Sequence, residues 1–208
     1  VTAQDLAAIM TIFREGDEEA RLTAIRRLAH QPESPEDREA VLETLIEVMG
    51  DDSWQVRKEA VAAVLSWTDA ELLAERGVDA MSEPEDIGRR NAVIEAVMKL
   101  GAVTIDPLLR ALSKKPDYRK VLVDVLGTFG DTRVINALGE SLLDEDPNVR
   151  AAAMEQLASF QSHEVVPALR QALRSQDLLV VLAALDGLNR QRVVIPVDEL
   201  LHMAEQTV

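Results

Sequence analysis

The chain reads as all-α and built from repeated helix pairs, on three observations. Five arginines, Arg21, Arg57, Arg90, Arg119 and Arg150, share one register. Arg119 and Arg150 lie 31 positions apart, and at that offset Leu126 falls on Leu157, Phe129 on Phe160, Val134 on Val165, Ala137 on Ala168 and Leu138 on Leu169. One unit earlier, Arg90 precedes Arg119 by 29 positions, which sets Val97 on Leu126, Leu100 on Phe129, Gly101 on Gly130 and Ile105 on Val134. Within a unit the apolar residues follow helical spacing, as Val149, Ala153, Leu157 and Phe160 do at steps of 4, 4 and 3. Alternating strand patterns bounded by turn residues are missing. A period near thirty marks a helical solenoid, in which no pair buries its apolar stripes alone and each must stack on the next.

The elements follow in order. An opening helix over residues 6–14 carries Leu6, Ile9, Met10, Ile12 and Phe13, which cover more than one face. A terminal cap normally shows a polar outer face, so the array is expected to start inside a longer protein rather than to tuck this helix under the first pair. About six helix pairs follow. The first is 17–29 and 35–49, with Asp17 as N-cap and Pro35 in a first turn. The second is 53–67 and 69–76, expected to break at Gly77 and across residues 82–86. Then come 86–100 with 105–112, 116–129 with 132–143, 146–160 with 163–174, and 177–189 with 196–205. The repeats are bounded at 1–16, 17–50, 51–85, 86–115, 116–145, 146–176 and 177–208, within one continuous array.

Composition narrows the function. Of 208 residues 47% are hydrophobic but only 3% aromatic, so the core is made of Ala, Val, Leu and Ile. The net charge of −15 opposes binding to nucleic acid, whose affinity comes largely from cations neutralising phosphates. It also opposes docking on anionic lipid, and favours a basic protein partner. With no cysteine, thiol catalysis and thiolate zinc sites are excluded. No apolar run reaches the roughly 18–20 residues of a membrane span. The expected compartment is the cytoplasm.

Aspartate stands four positions before the register arginine at Asp17/Arg21, Asp86/Arg90 and Asp146/Arg150, and Asp52 precedes Arg57 by five. Each aspartate is expected to cap its helix, and each arginine, one turn in, to reach a carboxylate or carbonyl of the adjacent repeat. Asp17, Arg21, Arg57, Asp86, Arg90, Arg119, Asp146 and Arg150 would then form a structural ladder. The stretch from Leu126-Gly-Thr-Phe-Gly-Asp-Thr-Arg-Val through Asp144-Glu-Asp-Pro-Asn-Val-Arg150 to Leu157 resembles the HEAT-like repeats first named in phycobilin lyases. The resemblance is close over residues 86–188 and departs at 69–85 and at the last unit, where Val181 replaces the arginine. It implies a right-handed α-α superhelix whose second helices line a concave, protein-binding face.

Some proteins of this kind are enzymes, and the residues argue against each case. One His-Glu pair, His163-Glu164, with His30 and His202 in other repeats, cannot supply a two-metal site. Trp67 aligns with Leu100, Phe129 and Phe160 and is expected in the core, while Trp54 is expected to pack on the preceding pair. Gly127 and Gly130 read as helix breakers flanking Phe129. Nothing suggests a cofactor, a metal or a small-molecule ligand.

Against the acidic background, Arg110, Lys114, Arg170 and Arg174 fall at matching positions of second helices. At about 100° per residue Arg170 and Arg174 project opposite the stripe of Val165, Ala168, Leu169 and Ala172. Gly139 between the repeats would leave room for a partner. The four cations are a candidate surface for an acidic segment. The function expected is a non-enzymatic protein-interaction scaffold with a protein partner; the alternative is a tetrapyrrole-handling subunit akin to phycobilin lyases. For the core, Leu157→Ala should open a cavity costing about 2–5 kcal/mol, measured by urea unfolding.

Overall fold

The computed structural model describes residues 3–29, 34–66, 70–82, 85–175 and 177–197, and every regular element among them is helical. The α-helices are α1 (Ala3–Glu15), α2 (Glu18–Leu28), α3 (Pro35–Val48), α4 (Trp54–Leu65), α5 (Ala70–Ser82) and α6 (Ile87–Leu100). They continue as α7 (Ile105–Lys114), α8 (Arg119–Thr128), α9 (Ile135–Ser141), α10 (Pro147–Ser159), α11 (Val166–Ala172) and α12 (Leu178–Arg190). One 3-10 turn each leads into α7, α8, α9 and α11.

Caps set these boundaries. Asp17, Ser53, Asp86, Asp146 and Asp177 each accept a backbone N–H from the first turn of their helix, satisfying a donor that has no intrahelical partner. Ser53 rather than Asp52 caps α4. At the other ends, Gly101 and Gly130 take φ of 76° and 62°, a left-handed conformation costly for any residue with a Cβ.

The chain divides into two compact units, Val1–Ala111 and Leu112–Val208. The division falls in α7, whose last turn carries Ser113 and is followed by Lys115, at the positions that Asp144 and Asp146 take in the next repeat. In the first unit α2 stacks on α4, α4 on α6, and α3 on α5. In the second α8 stacks on α10, α10 on α12, and α9 on α11. Within the units α3 also packs on α4, α5 on α6, α9 on α10 and α11 on α12. The core is aliphatic: Ile25, Leu45, Val61, Val93 and Val97 in one unit, Leu122, Leu126, Leu138, Leu157 and Leu169 in the other.

Four glycines behave differently from the sequence expectation. Helix α5 does not break at Gly77 but runs on to Ser82, because a Cβ there would lie 2.8 Å from Val93 Cγ1 of α6. Gly127 is not a breaker either; it is buried inside α8, where a Cβ would collide with the Gln156 side chain of α10. Gly139 leaves no room for a partner, since its Cα faces Ala168 of α11, 2.8 Å from where a Cβ would sit. Gly187 does the same against Leu169. These are close approaches between helices, and bare backbone is what permits them.

The opening helix α1 contacts α2 and α3 and buries Leu6 and Ile9. The expectations for His30, Trp67 and His202, and nearly all of the closing helix at 196–205, fall outside the described residues. For the packing, Gly139→Val should cost about 1–3 kcal/mol by forcing α9 from α11, whereas a glycine kept for a partner would tolerate it; thermal unfolding separates the two.

Candidate functional site

The loops before the first helices form the most regular polar construction in the molecule. Asp51 Oδ1 accepts the Ser53 N–H at 2.8 Å and Asp144 Oδ1 the Asp146 N–H at 2.9 Å, while Ser175 Oγ does the same for Asp177 at 3.1 Å. The arginines then work in two directions. Arg57 donates back to the carbonyls of Asp51 (2.6 Å) and Asp52 (3.0 Å), and Arg150 to those of Asp144 and Glu145, both at 3.0 Å. Forward, Arg21 reaches Asp51 Oδ2 at 3.0 Å, Arg119 reaches Asp144 Oδ2 at 2.7 Å, and Arg150 grips Asp177 Oδ2 through Nε (3.0 Å) and Nη2 (2.5 Å). Asp51 and Asp144 are nearly buried in these pairs. Arg90 makes no ion pair among the described residues; its neighbour Arg89 binds Asp86 at 3.1 Å.

Stacked helix pairs with this loop chemistry have a counterpart among known families. Residues 105–189 match the family model for HEAT repeats. Over residues 105–189 the chain therefore carries HEAT-like repeats. Among solved structures it is similar to a designed armadillo repeat protein at 19% identity, over 89% of this chain and 99% of that one, with a TM-score of 0.40. A second designed armadillo repeat protein, in complex with the peptide (KR)4, is 17% identical over 89% and 99%, again at 0.40. No curated protein matches the chain.

The stacked helix pairs carry a second set of cross-links, which the register of the arginines does not reveal. In the first unit, Arg76 of α5 is bracketed by Glu39 and Glu43 of α3, one turn apart. One repeat on, Arg110 of α7 is bracketed by Glu71 (2.5 Å) and Glu75 (3.3 Å) of α5. The signal was present as glutamate pairs at i, i+4 recurring 32 positions apart.

That finding removes Arg110 from the predicted basic patch, because its guanidinium is already shared by two carboxylates of its own unit. Lys114, Arg170 and Arg174 belong to the second unit. Arg170 is half-buried, and Arg174 lies beyond the end of α11 in the following turn, so the helical-wheel argument that paired them does not hold. Arg174 instead lines a cleft with Leu143, Asp144, Arg150, Ser175 and Asp177, at the end of the arginine ladder.

Trp54 corrects another expectation. It occupies the first turn of α4 and is 62% exposed rather than packed on the preceding pair. Ile87, in the same position of α6, is 57% exposed. Between α4 and α6 lies a groove of about 230 Å³ lined by Trp54, Arg57, Lys58, Val61, Gly88, Asn91, Ala92 and Glu95. The Lys58 ammonium sits 5.7 Å from the centre of the Trp54 ring and 2.5 Å from Glu95 Oε2, and Lys99 binds Glu95 Oε1 at 2.9 Å. Hydrogen bonds from Lys58 and then Lys99 hold the Glu95 carboxyl below the usual carboxylate range. His163 and Glu164 are exposed in the 3-10 turn before α11, with Ser162 capping it. Among the described residues no three His, Cys, Asp or Glu side chains converge as metal ligands.

The ladder has a pH signature. The hydrogen bonds from Arg150 lower the Asp177 pKa, with the Leu179 N–H assisting. A carboxylate depressed on folding contributes stability that is present above its unfolded pKa and lost as pH falls through the folded one. The stability gap between wild type and Asp177→Asn should therefore be full at neutral pH and close on acidification below the usual carboxylate range, followed by chemical denaturation across pH.

Proposed function

We propose that this HEAT-like repeat protein is a non-enzymatic protein-interaction module whose interface lies along the first turns of α4 and α6. The observation that carries the proposal is the exposure of Trp54. A large aromatic ring costs free energy to leave in water, and tryptophan is among the residues most enriched where partners bury most of their binding energy. Here the ring stands beside a groove and next to a second exposed apolar side chain, Ile87. Both sit on helices whose first turns are capped, by Ser53 and Asp86, so association would order little of the backbone and lose little entropy.

No helix among the described residues is long and apolar enough to cross a membrane. The partner is a protein, recognised by side chains projecting from a rigid helical edge.

A photoreactive benzophenone amino acid at position 54 tests this. It should yield one discrete protein adduct in a lysate of the native source, absent when the same group replaces exposed Glu140 in the second unit. Against the captured partner, Trp54→Ala should weaken binding by on the order of 2 kcal/mol. No adduct at position 54, or the same adduct from both positions, would refute the assignment.

A further inference from the structure

Trp54 already holds a cation. Lys58, one turn along α4, lays its ammonium over the indole at 5.7 Å and directs it to both Glu95 oxygens, at 2.7 Å to Oε1 and 2.5 Å to Oε2. The arrangement is open to exchange: the Lys58 and Glu95 side chains keep 41% and 28% of their exposure. Lys99 also binds Oε1, so Glu95 would retain one internal partner if Lys58 withdrew. The ammonium rides on a flexible four-carbon stem and is strongly hydrated, which makes withdrawal to solvent easy.

An arginine meets the same two partners with better geometry. Its guanidinium is planar and stacks on an aromatic face, it is less strongly hydrated than an ammonium, and its fork of donors fits a carboxylate. The surroundings favour such a visitor. Exposed carboxylates of Glu18, Asp52 and Glu85 stand in the same row of loops and first turns as Trp54 and Ile87, and the chain carries a net charge of −15. Glu18 is held close by the Ser53 hydroxyl, which donates to its Oε2 at 2.7 Å.

We propose that the groove between α4 and α6 is a docking site for an arginine of a basic, extended segment of a protein partner, its guanidinium lying on Trp54 and pairing with Glu95 in place of Lys58. The inference rests on the Trp54 edge being the interface and names the chemistry it reads. The segment has a second feature. Ile87 occupies the position of Trp54 on the next helix, and packed helix axes lie about 8–10 Å apart. An extended chain covers about 3.3 Å per residue, so an apolar side chain about three positions from the arginine reaches Ile87. The exposed Asn91, which also lines the groove, supplies an amide for the segment's backbone between the two. Lys58 acts as a built-in competitor that arginine displaces.

The test uses three synthetic peptides, alike except that an Arg-Gly-Ser-Leu core carries arginine, its neutral isostere citrulline, or glutamate at the first position. The readout is the NMR shift of the Trp54 indole N–H in the full chain, assigned by its loss in Trp54→Phe. The arginine peptide should give a saturable shift and the citrulline peptide none. Glu95→Gln should weaken binding about tenfold, and Lys58→Ala should tighten it by about threefold as the competitor is removed. Equal binding of the arginine and citrulline peptides, or weaker binding in Lys58→Ala, overturns the proposal. Saturation by the glutamate peptide alone would make Lys58 the recognition group and overturn it as well. No shift with any peptide, while position 54 still yields its adduct, would sink the arginine assignment and leave the interface standing. Loss of both would sink the two together.

Discussion

Arg119 and Arg150 each bond to their own repeat and to the next one at once. A helix pair of this length cannot bury both of its apolar stripes, so stacking is compulsory, and apolar contact alone leaves the stacking angle loose because it is non-directional. Guanidinium geometry is directional. In Arg150 one nitrogen closes the loop of its own repeat onto the carbonyls of Asp144 and Glu145, while two others reach the N-cap of the next. The loop, the helix start and the neighbouring layer are thereby fixed by one side chain. Where Val181 replaces the arginine, the described structure continues into the segment at 191–197 rather than a further rung, with Gln191 donating to the Phe160 carbonyl instead.

Close packing completes what the arginines begin. An aliphatic core with few rings lets helices approach until backbone meets side chain, and that is where Gly77, Gly127, Gly139 and Gly187 stand. Their cost in helix propensity, about 1 kcal/mol each relative to alanine, is offset by contacts with Val93, Gln156, Ala168 and Leu169 on the facing helices. Among the large apolar side chains exposed in the described residues, which include Ile87, Val103, Leu179 and Val194, Trp54 is the aromatic one.

Much of the architecture was legible in the residues because it repeats. Register, helix pairing, caps at Asp17, Asp86 and Asp146, and the left-handed Gly130 all follow from local rules that depend only on neighbours in sequence. The misreadings came where the deciding contact lies on another helix. Glycine inside a helix looks like a break until the facing side chain is known, as at Gly77 and Gly127. Arg110 looked available because its two carboxylates lie more than thirty residues upstream. Arg174 was placed by a helical wheel that stops two residues too early. Trp54 was expected to pack on the preceding pair, but its side chain in the first turn of α4 is 62% exposed. The turn aspartates Asp51 and Asp144, six positions before their arginines, were readable in principle. The capping residue two places later drew attention away from them.

The two-directional arginine has a consequence for how such a chain changes length. Where the rung is complete, as at Arg150, a repeat carries its connector on both ends. A duplicated unit inserted between two others finds the same socket ahead and offers the same plug behind, so the array can grow or shorten by whole units without redesign of the core. Ser113, in the last turn of α7, and Lys115 after it stand where Asp144 and Asp146 do in the next repeat and supply neither acid.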